Sequence, residues 1–188
     1  AMCYTSGTTG NPKGVLYSHR STFLHTMAAC LTDTIGISEN DTILPVVPMF
    51  HANAWGVPFA GAMTGAKLVF PGPNMAPDVL LGLMADERVT VAEGVPTIWL
   101  GILNLLDQNP DKWDLSAVRS TLVGGSAAPP AMIDGFQKRH NIPVMHAWGM
   151  TEMSPIGTLA RVKRSLAEGA TDAEILAVKS TQGYPAPL

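Results

Sequence analysis

Short apolar runs alternate along this chain with longer stretches whose apolar positions recur every three or four residues. That alternation predicts an α/β fold, a mostly parallel sheet flanked by crossover helices. Strands are expected at Met2–Thr5, Ile43–Val47, Lys67–Phe70, Thr90–Ala92, Thr121–Val123 and Pro143–His146. Between the first two, Phe23, Leu24, Met27, Ala28, Leu31 and Ile35 share one face of a helix that Gly36 should end, and that face should pack on the sheet. Val79, Leu80, Leu83 and Met84 repeat the pattern, as do Trp99, Ile102, Leu103 and Leu106 after Pro96. Pro129 and Pro130 open a further helix with Met132, Ile133 and Phe136 turned inward. From Lys163 to Lys179 the run is more polar and reads as a surface helix broken at Gly169.

The 188 residues suit one domain or one large subdomain, and a chain of this length buries roughly 70% of its unfolded surface. Charged residues make up only 14% against 46% apolar, where about 25% charged is usual. Deep burial or a face covered by a partner follows. Twelve basic and 15 acidic residues form no long block of either sign, which argues against nucleic acid as a partner. Cys3 and Cys30 provide no disulfide framework, so a reducing cytoplasmic setting fits. The uncharged run from Thr42 to Ala66 is interrupted by Pro45, Pro48, Pro58, His51 and Asn53 too often for a membrane span. It is expected to be buried.

Chemistry concentrates first in Tyr4-Thr5-Ser6-Gly7-Thr8-Thr9-Gly10-Asn11-Pro12-Lys13-Gly14, directly after a strand. Its glycines let the backbone approach a ligand, its hydroxyls donate hydrogen bonds and Lys13 supplies a compact positive charge. This describes a phosphate cradle. It is not a Walker A loop, because Gly14 follows Lys13 where Ser or Thr is required.

The same run resembles the signature of the adenylate-forming, AMP-binding enzymes. Further matches follow in order. Pro48-Met49-Phe50-His51-Ala52-Asn53-Ala54-Trp55 resembles the segment lining the acyl pocket, and Val123-Gly124-Gly125-Ser126-Ala127-Ala128-Pro129 the adenine-side loop. His146-Ala147-Trp148-Gly149-Met150-Thr151-Glu152 resembles the aromatic-Gly-x-Thr-Glu motif, with Trp148 in place of the usual Tyr. The wording of residues 46–55 and of Val15-Leu16-Tyr17-Ser18-His19-Arg20 is most similar to medium- and long-chain fatty acyl-CoA synthetases.

That resemblance implies the large N-terminal domain of such a synthetase. It also implies a two-step reaction in which a fatty acid or other carboxylate and ATP give an acyl adenylate, whose acyl group then passes to the thiol of coenzyme A. Such chemistry needs positioning and charge neutralisation more than a protein nucleophile. Thr5, Ser6, Gly7, Thr8, Thr9, Gly10 and Lys13 would hold the phosphates, and Thr5 and Glu152 would hold Mg²⁺. Thr151 would reach the α-phosphate. Ala147, Trp148 and Gly149 would face the adenine from one side, with Gly125, Ser126 and Ala127 on the other. His51 would stand where the acyl pocket meets the thiol tunnel, and Trp55 would gate the acyl tunnel.

The family's N-terminal subdomain, ribose-binding Asp segment and C-terminal Lys domain find no counterpart, so residues 1–188 read as a partial adenylation domain, inactive or nearly so by itself. Its low charge content further suggests self-association through apolar surface. Two alternatives stand beside this reading. Gly124-Gly125-Ser126-Ala127-Ala128 approaches a hydrolase nucleophile elbow, with Asp134 and His140 as the available partners. A non-catalytic nucleotide-binding or interaction module is the other.

Overall fold

The computed structural model describes residues 1–6 and 10–187. It opens with an antiparallel hairpin of β1 (Met2–Thr5) and β2 (Lys13–Leu16) that sets Thr5 opposite Lys13. Then come α1 (His19–Cys30), β3 (Thr42–Val46), the short turn α2 (Ala52–Trp55), α3 (Val57–Thr64) and β4 (Lys67–Leu68). Helix and strand next alternate through α4 (Pro77–Asp86), β5 (Val91–Gly94), α5 (Pro96–Gln108), β6 (Ser120–Val123), α6 (Pro130–His140) and β7 (Val144–Gly149). β8 (Ile156–Leu159), α7 (Arg164–Ala167), α8 (Asp172–Ser180) and β9 (Tyr184–Pro185) follow.

The main sheet runs β4-β3-β5-β6-β7-β8-β9. β4, β3, β5, β6 and β7 are parallel, whereas β8 and β9 join antiparallel at one edge. The expected strands are present, with boundaries moved by up to three residues. β2, β8 and β9 carried too little signal: the first two are four residues long with a glycine inside, and β9 contains Pro185. α4, α5 and α6 each have proline in the first turn, where the fixed φ suits a helix and the missing N–H is no loss. The polar run at 163–179 is two helices separated at Gly169, whose φ is +85°.

Strand alternation sends side chains to two different cores. Leu44, Val46, Ala92 and Val123 pack under α4, α5 and α6 with Trp99, Ile102, Met132, Ile133 and Phe136. Trp99 is fully buried, donates from Nε1 to the Leu122 carbonyl at 3.1 Å and meets the Phe136 ring edge-on at 6.0 Å. Ile43, Val91 and Leu122 face the other way, against Ala29 of α1 and Val57 and Ala60 of α3.

α1 corrects one expectation. It buries His25, Thr26, Ala28 and Ala29, while Phe23, Leu24, Met27 and Leu31 stand about half exposed. Small residues let α1 approach α3, and the bulky apolar stripe is left on the outside. The helix also stops at Cys30, well before Gly36. Thr34 Oγ1 donates to the Ala28 and Leu31 carbonyls and so satisfies acceptors that a further turn would have used. Asp41 braces the far side of β3. Burial opposes its charge, but hydrogen bonds from Arg119, Thr90 and the Ser38 N–H outweigh burial and bring its pKa down to about 2.

His25 gives α1 a pH-dependent contact. Its Nε2 accepts the Ile156 N–H at 3.2 Å, and burial lowers its pKa from 6.5 to about 4. The unfolded chain therefore takes up a proton that the folded chain refuses. The stabilisation is complete above pH 6.5 and is lost as the pH falls towards 4. Urea unfolding should show wild type losing roughly 3 kcal/mol relative to His25→Asn across that window. A difference independent of pH would refute the assignment.

Candidate functional site

The C-terminal ends of parallel strands all open on one edge of a sheet, and the loops leaving them meet there. Here the loops after β3, β6 and β7 converge with the β1–β2 hairpin around a cavity of about 550 Å³. Thr5, Ser6 and Lys13 line it from the hairpin, and His51 and Trp55 from the segment after β3. Gly125 faces it from the loop after β6. Ala147, Trp148, Gly149, Thr151 and Glu152 close the remaining wall. Residues scattered over most of the chain are thus brought to one place. Gly7, Thr8 and Thr9 lie outside the described residues. Gly10, Ser126 and Ala127 are exposed and stand outside the cavity wall.

The wall depends on glycines that leave room for neighbours. A Cβ on Gly124 would lie 3.1 Å from Cη2 of Trp55, so the indole covers this glycine. At Gly149 a Cβ would come within 2.3 Å of the Pro155 carbonyl oxygen, which also accepts the Met150 N–H at 3.0 Å. Gly157 gives the Trp148 ring its seat, since a Cβ there would be 2.8 Å from it. The Thr151–Met153 turn is therefore folded back tightly on β8.

α2 is a left-handed turn. Ala52, Asn53, Ala54 and Trp55 have φ between 47° and 53°, and Gly56 follows at 81°. Left-handed backbone costs an L-residue roughly 1–2 kcal/mol. Ala52 and Ala54 are buried beneath it, which helps hold the turn closed. The sequence carried a faint sign of it in Asn53 and Gly56, two residue types that tolerate positive φ. The turn carries the Trp55 indole against Gly124 in the cavity wall.

Sequence reasoning missed two positioning residues. Tyr17 donates its hydroxyl to the Thr151 carbonyl at 2.5 Å, tying the hairpin to the Thr151–Glu152 wall. Burial, with lesser contributions from Cys3 and Glu152, raises its pKa to about 12, so it remains a donor. His146 is buried on β7, and its Nε2 accepts the Ala128 N–H at 3.3 Å, joining the loop after β6 to β7. The hydrolase alternative fails on geometry. His140 sits at the far end of α6 against Asp107 at 2.8 Å, and Asp134 pairs with Lys138. Neither turns to Ser126.

The sequence of residues 1–188 matches the model of one family, AMP-binding enzyme. The chain belongs to that family. It is 50% identical over 185 residues to a medium-chain-fatty-acid–CoA ligase of Ectopseudomonas oleovorans, covering 98% of this chain and 33% of the relative. A 3-methylmercaptopropionyl-CoA ligase of Ruegeria pomeroyi is 53% identical over 158 residues, covering 84% of this chain and 29% of the relative. The crystal structure of a long-chain-fatty-acid-CoA ligase (FadD1) from Archaeoglobus fulgidus superposes with a TM-score of 0.79 at 26% identity, over 98% of this chain and 36% of that one. This AMP-binding chain spans about a third of the relatives it matches. Among its described residues, no helix is long and apolar enough to cross a membrane.

Gly149→Ala should destabilise the fold by about 1–3 kcal/mol through overpacking against Pro155. Gly82→Ala lies mid-helix with nothing within 4 Å of its Cβ and should stabilise by up to about 1 kcal/mol. Equal effects in thermal unfolding would contradict the packing described.

Proposed function

We propose that the chain is the nucleotide- and acyl-facing part of an AMP-forming acyl-CoA ligase that joins a fatty acid or related carboxylate to coenzyme A through an acyl adenylate. The observation that carries this reading is the meeting of Lys13 and Thr5, His51 and Trp55, and Thr151 and Glu152 around one cavity. A cation flanked by hydroxyls suits the phosphates of ATP, and a flat indole suits a purine. An apolar turn at the opposite side suits an acyl chain.

Lys13 neutralises charge on the departing pyrophosphate, and Thr151 holds the α-phosphate while the carboxylate attacks it. Tyr17 keeps Thr151 in place through its backbone. Trp148 offers a stacking face to adenine and an indole N–H where the family's usual Tyr has a phenol. Thr5, from the hairpin, and Glu152, from the turn after β7, present hydroxyl and carboxylate oxygens to the same cavity, a donor set that fits Mg²⁺, which when bound would offset phosphate charge. His51 stands at the cavity rim, where the thiol of coenzyme A would approach, and Trp55 gates the acyl side by lying over Gly124.

The exposed stripe of Phe23, Leu24, Met27 and Leu31 is a surface that a larger protein would cover. In isolation it makes the chain self-associate. Light scattering should show a mass that rises with concentration for wild type and rises less for Phe23→Ser combined with Met27→Ser. A concentration-independent monomer would oppose this.

A stable fatty-acyl adenylate analogue should raise the melting temperature of the chain, because a ligand bound only by the folded state stabilises it by mass action. Lys13→Met and Glu152→Gln should each weaken Mg-ATP binding about tenfold, and Tyr17→Phe by a smaller factor. Turnover by the chain alone should stay below about 1 s⁻¹. A cooperatively melting chain that no adenylate or nucleotide shifts would overturn the proposal.

A further inference from the structure

The chemistry above leaves one buried acid unused. Glu93 on β5 has no exposed surface, and among the described residues neither carboxylate oxygen has a hydrogen-bond partner. A carboxyl group deprived of both water and partners is among the most unfavourable side chains a core can hold. In register Glu93 lies between Pro45 and Leu122.

Its direction follows from the pleat. Val91 and Leu122 face the core under α1 and α3, and side chains alternate along a strand, so Glu93 faces that way too. Two residues past Leu122 on the same face is Gly124, the glycine covered by the Trp55 indole. Gly124, Trp55 and Ala147 line the cavity. Glu93 is therefore one strand and one pleat from the cavity floor, on the cavity side, with the indole at the boundary. Burial pushes its pKa well above the usual carboxyl range, so the group is a neutral acid that can both donate and accept.

Resting on the ligase reading, we infer that Glu93 is the polar end of the acyl subsite and selects acyl groups with a hydrogen-bonding terminus, such as a hydroxyl, over plain alkyl chains. Displacement of the Trp55 indole from Gly124 opens the way to it. An alkyl terminus reaching Glu93 leaves the carboxyl unpaired, as it is now. A hydroxyl terminus pairs it. Sites with a buried polar group waiting for a partner discriminate strongly against the ligand that lacks one.

The test is calorimetric binding of acyl sulfamoyl-adenosines to the full chain, in matched butanoyl, hexanoyl, octanoyl and decanoyl forms with and without an ω-hydroxyl, and AMP as reference. Wild type should bind the best hydroxyacyl analogue at least about tenfold more tightly than its alkyl match. Glu93→Ala and the similarly sized, apolar Glu93→Met should erase that preference while AMP affinity is unchanged, and Glu93→Gln should keep part of it. Glu93→Met should melt higher than wild type, since no partner is lost and the volume is kept, whereas Glu93→Ala leaves a cavity that offsets the gain. Equal binding of hydroxyacyl and alkyl analogues by wild type, or a preference that survives in either apolar variant, overturns the inference while leaving the ligase reading intact. If AMP binds and no acyl group improves on it, the inference also falls. Failure of AMP and every adenylate to bind a folded chain overturns the ligase reading and this one with it.

Discussion

Parallel pairing of β3, β5, β6 and β7 is the constraint on which the rest of this structure depends. Strands that run the same way must return through helices, so each strand end at one edge releases a loop and each start at the other edge receives one. Three of the released loops carry His51 and Trp55, Gly125, and Thr151 with Glu152. A site made of these residues needs no close sequence spacing. It needs the strands to be in register, as they are.

The two faces of the sheet perform different tasks. Beneath α4, α5 and α6 the packing is large and apolar, with Trp99 hydrogen-bonded inside it. Beneath α1 and α3 it is interrupted by His25 and Glu93, both fully or nearly fully buried. Burial keeps each in its neutral form, His25 with a partner and Glu93 with none among the described residues. The face that adjoins the cavity is thus the one where polar groups are held at a cost, in keeping with the general opposition between stability and function at binding sites.

Glycine sets how closely the cavity walls approach. Gly124 admits the Trp55 indole, Gly149 the Pro155 carbonyl and Gly157 the Trp148 ring. Tyr17 and His146 then fasten the walls to one another through backbone groups, across sequence separations of 134 and 18 residues. A hairpin distant in sequence becomes part of the same rigid frame as the turn bearing Glu152.

Much of this was legible in the chain alone. Apolar periodicity located six strands and helices α1, α4, α5 and α6, because burial against a sheet imposes that period on any sequence. Thr5 and Lys13 could be named because the residue types of their loop suit a phosphate, whereas His51, Trp55, Trp148, Thr151 and Glu152 could be named because their runs resemble motifs of the adenylate-forming family. The rest waited for the tertiary structure. Phe23, Leu24, Met27 and Leu31 have a proper helical spacing yet face outward, because His25 and two alanines fit the narrow gap against α3 better. Ser126 and Ala127 stand outside the cavity wall, and His140 turns to Asp107, although their spacing permitted otherwise. The left-handed turn, the Tyr17 brace and the solitary carboxyl of Glu93 are decided by contacts between residues far apart in the chain. Local pattern determines which residues can be buried or reactive; only packing decides which neighbours they meet.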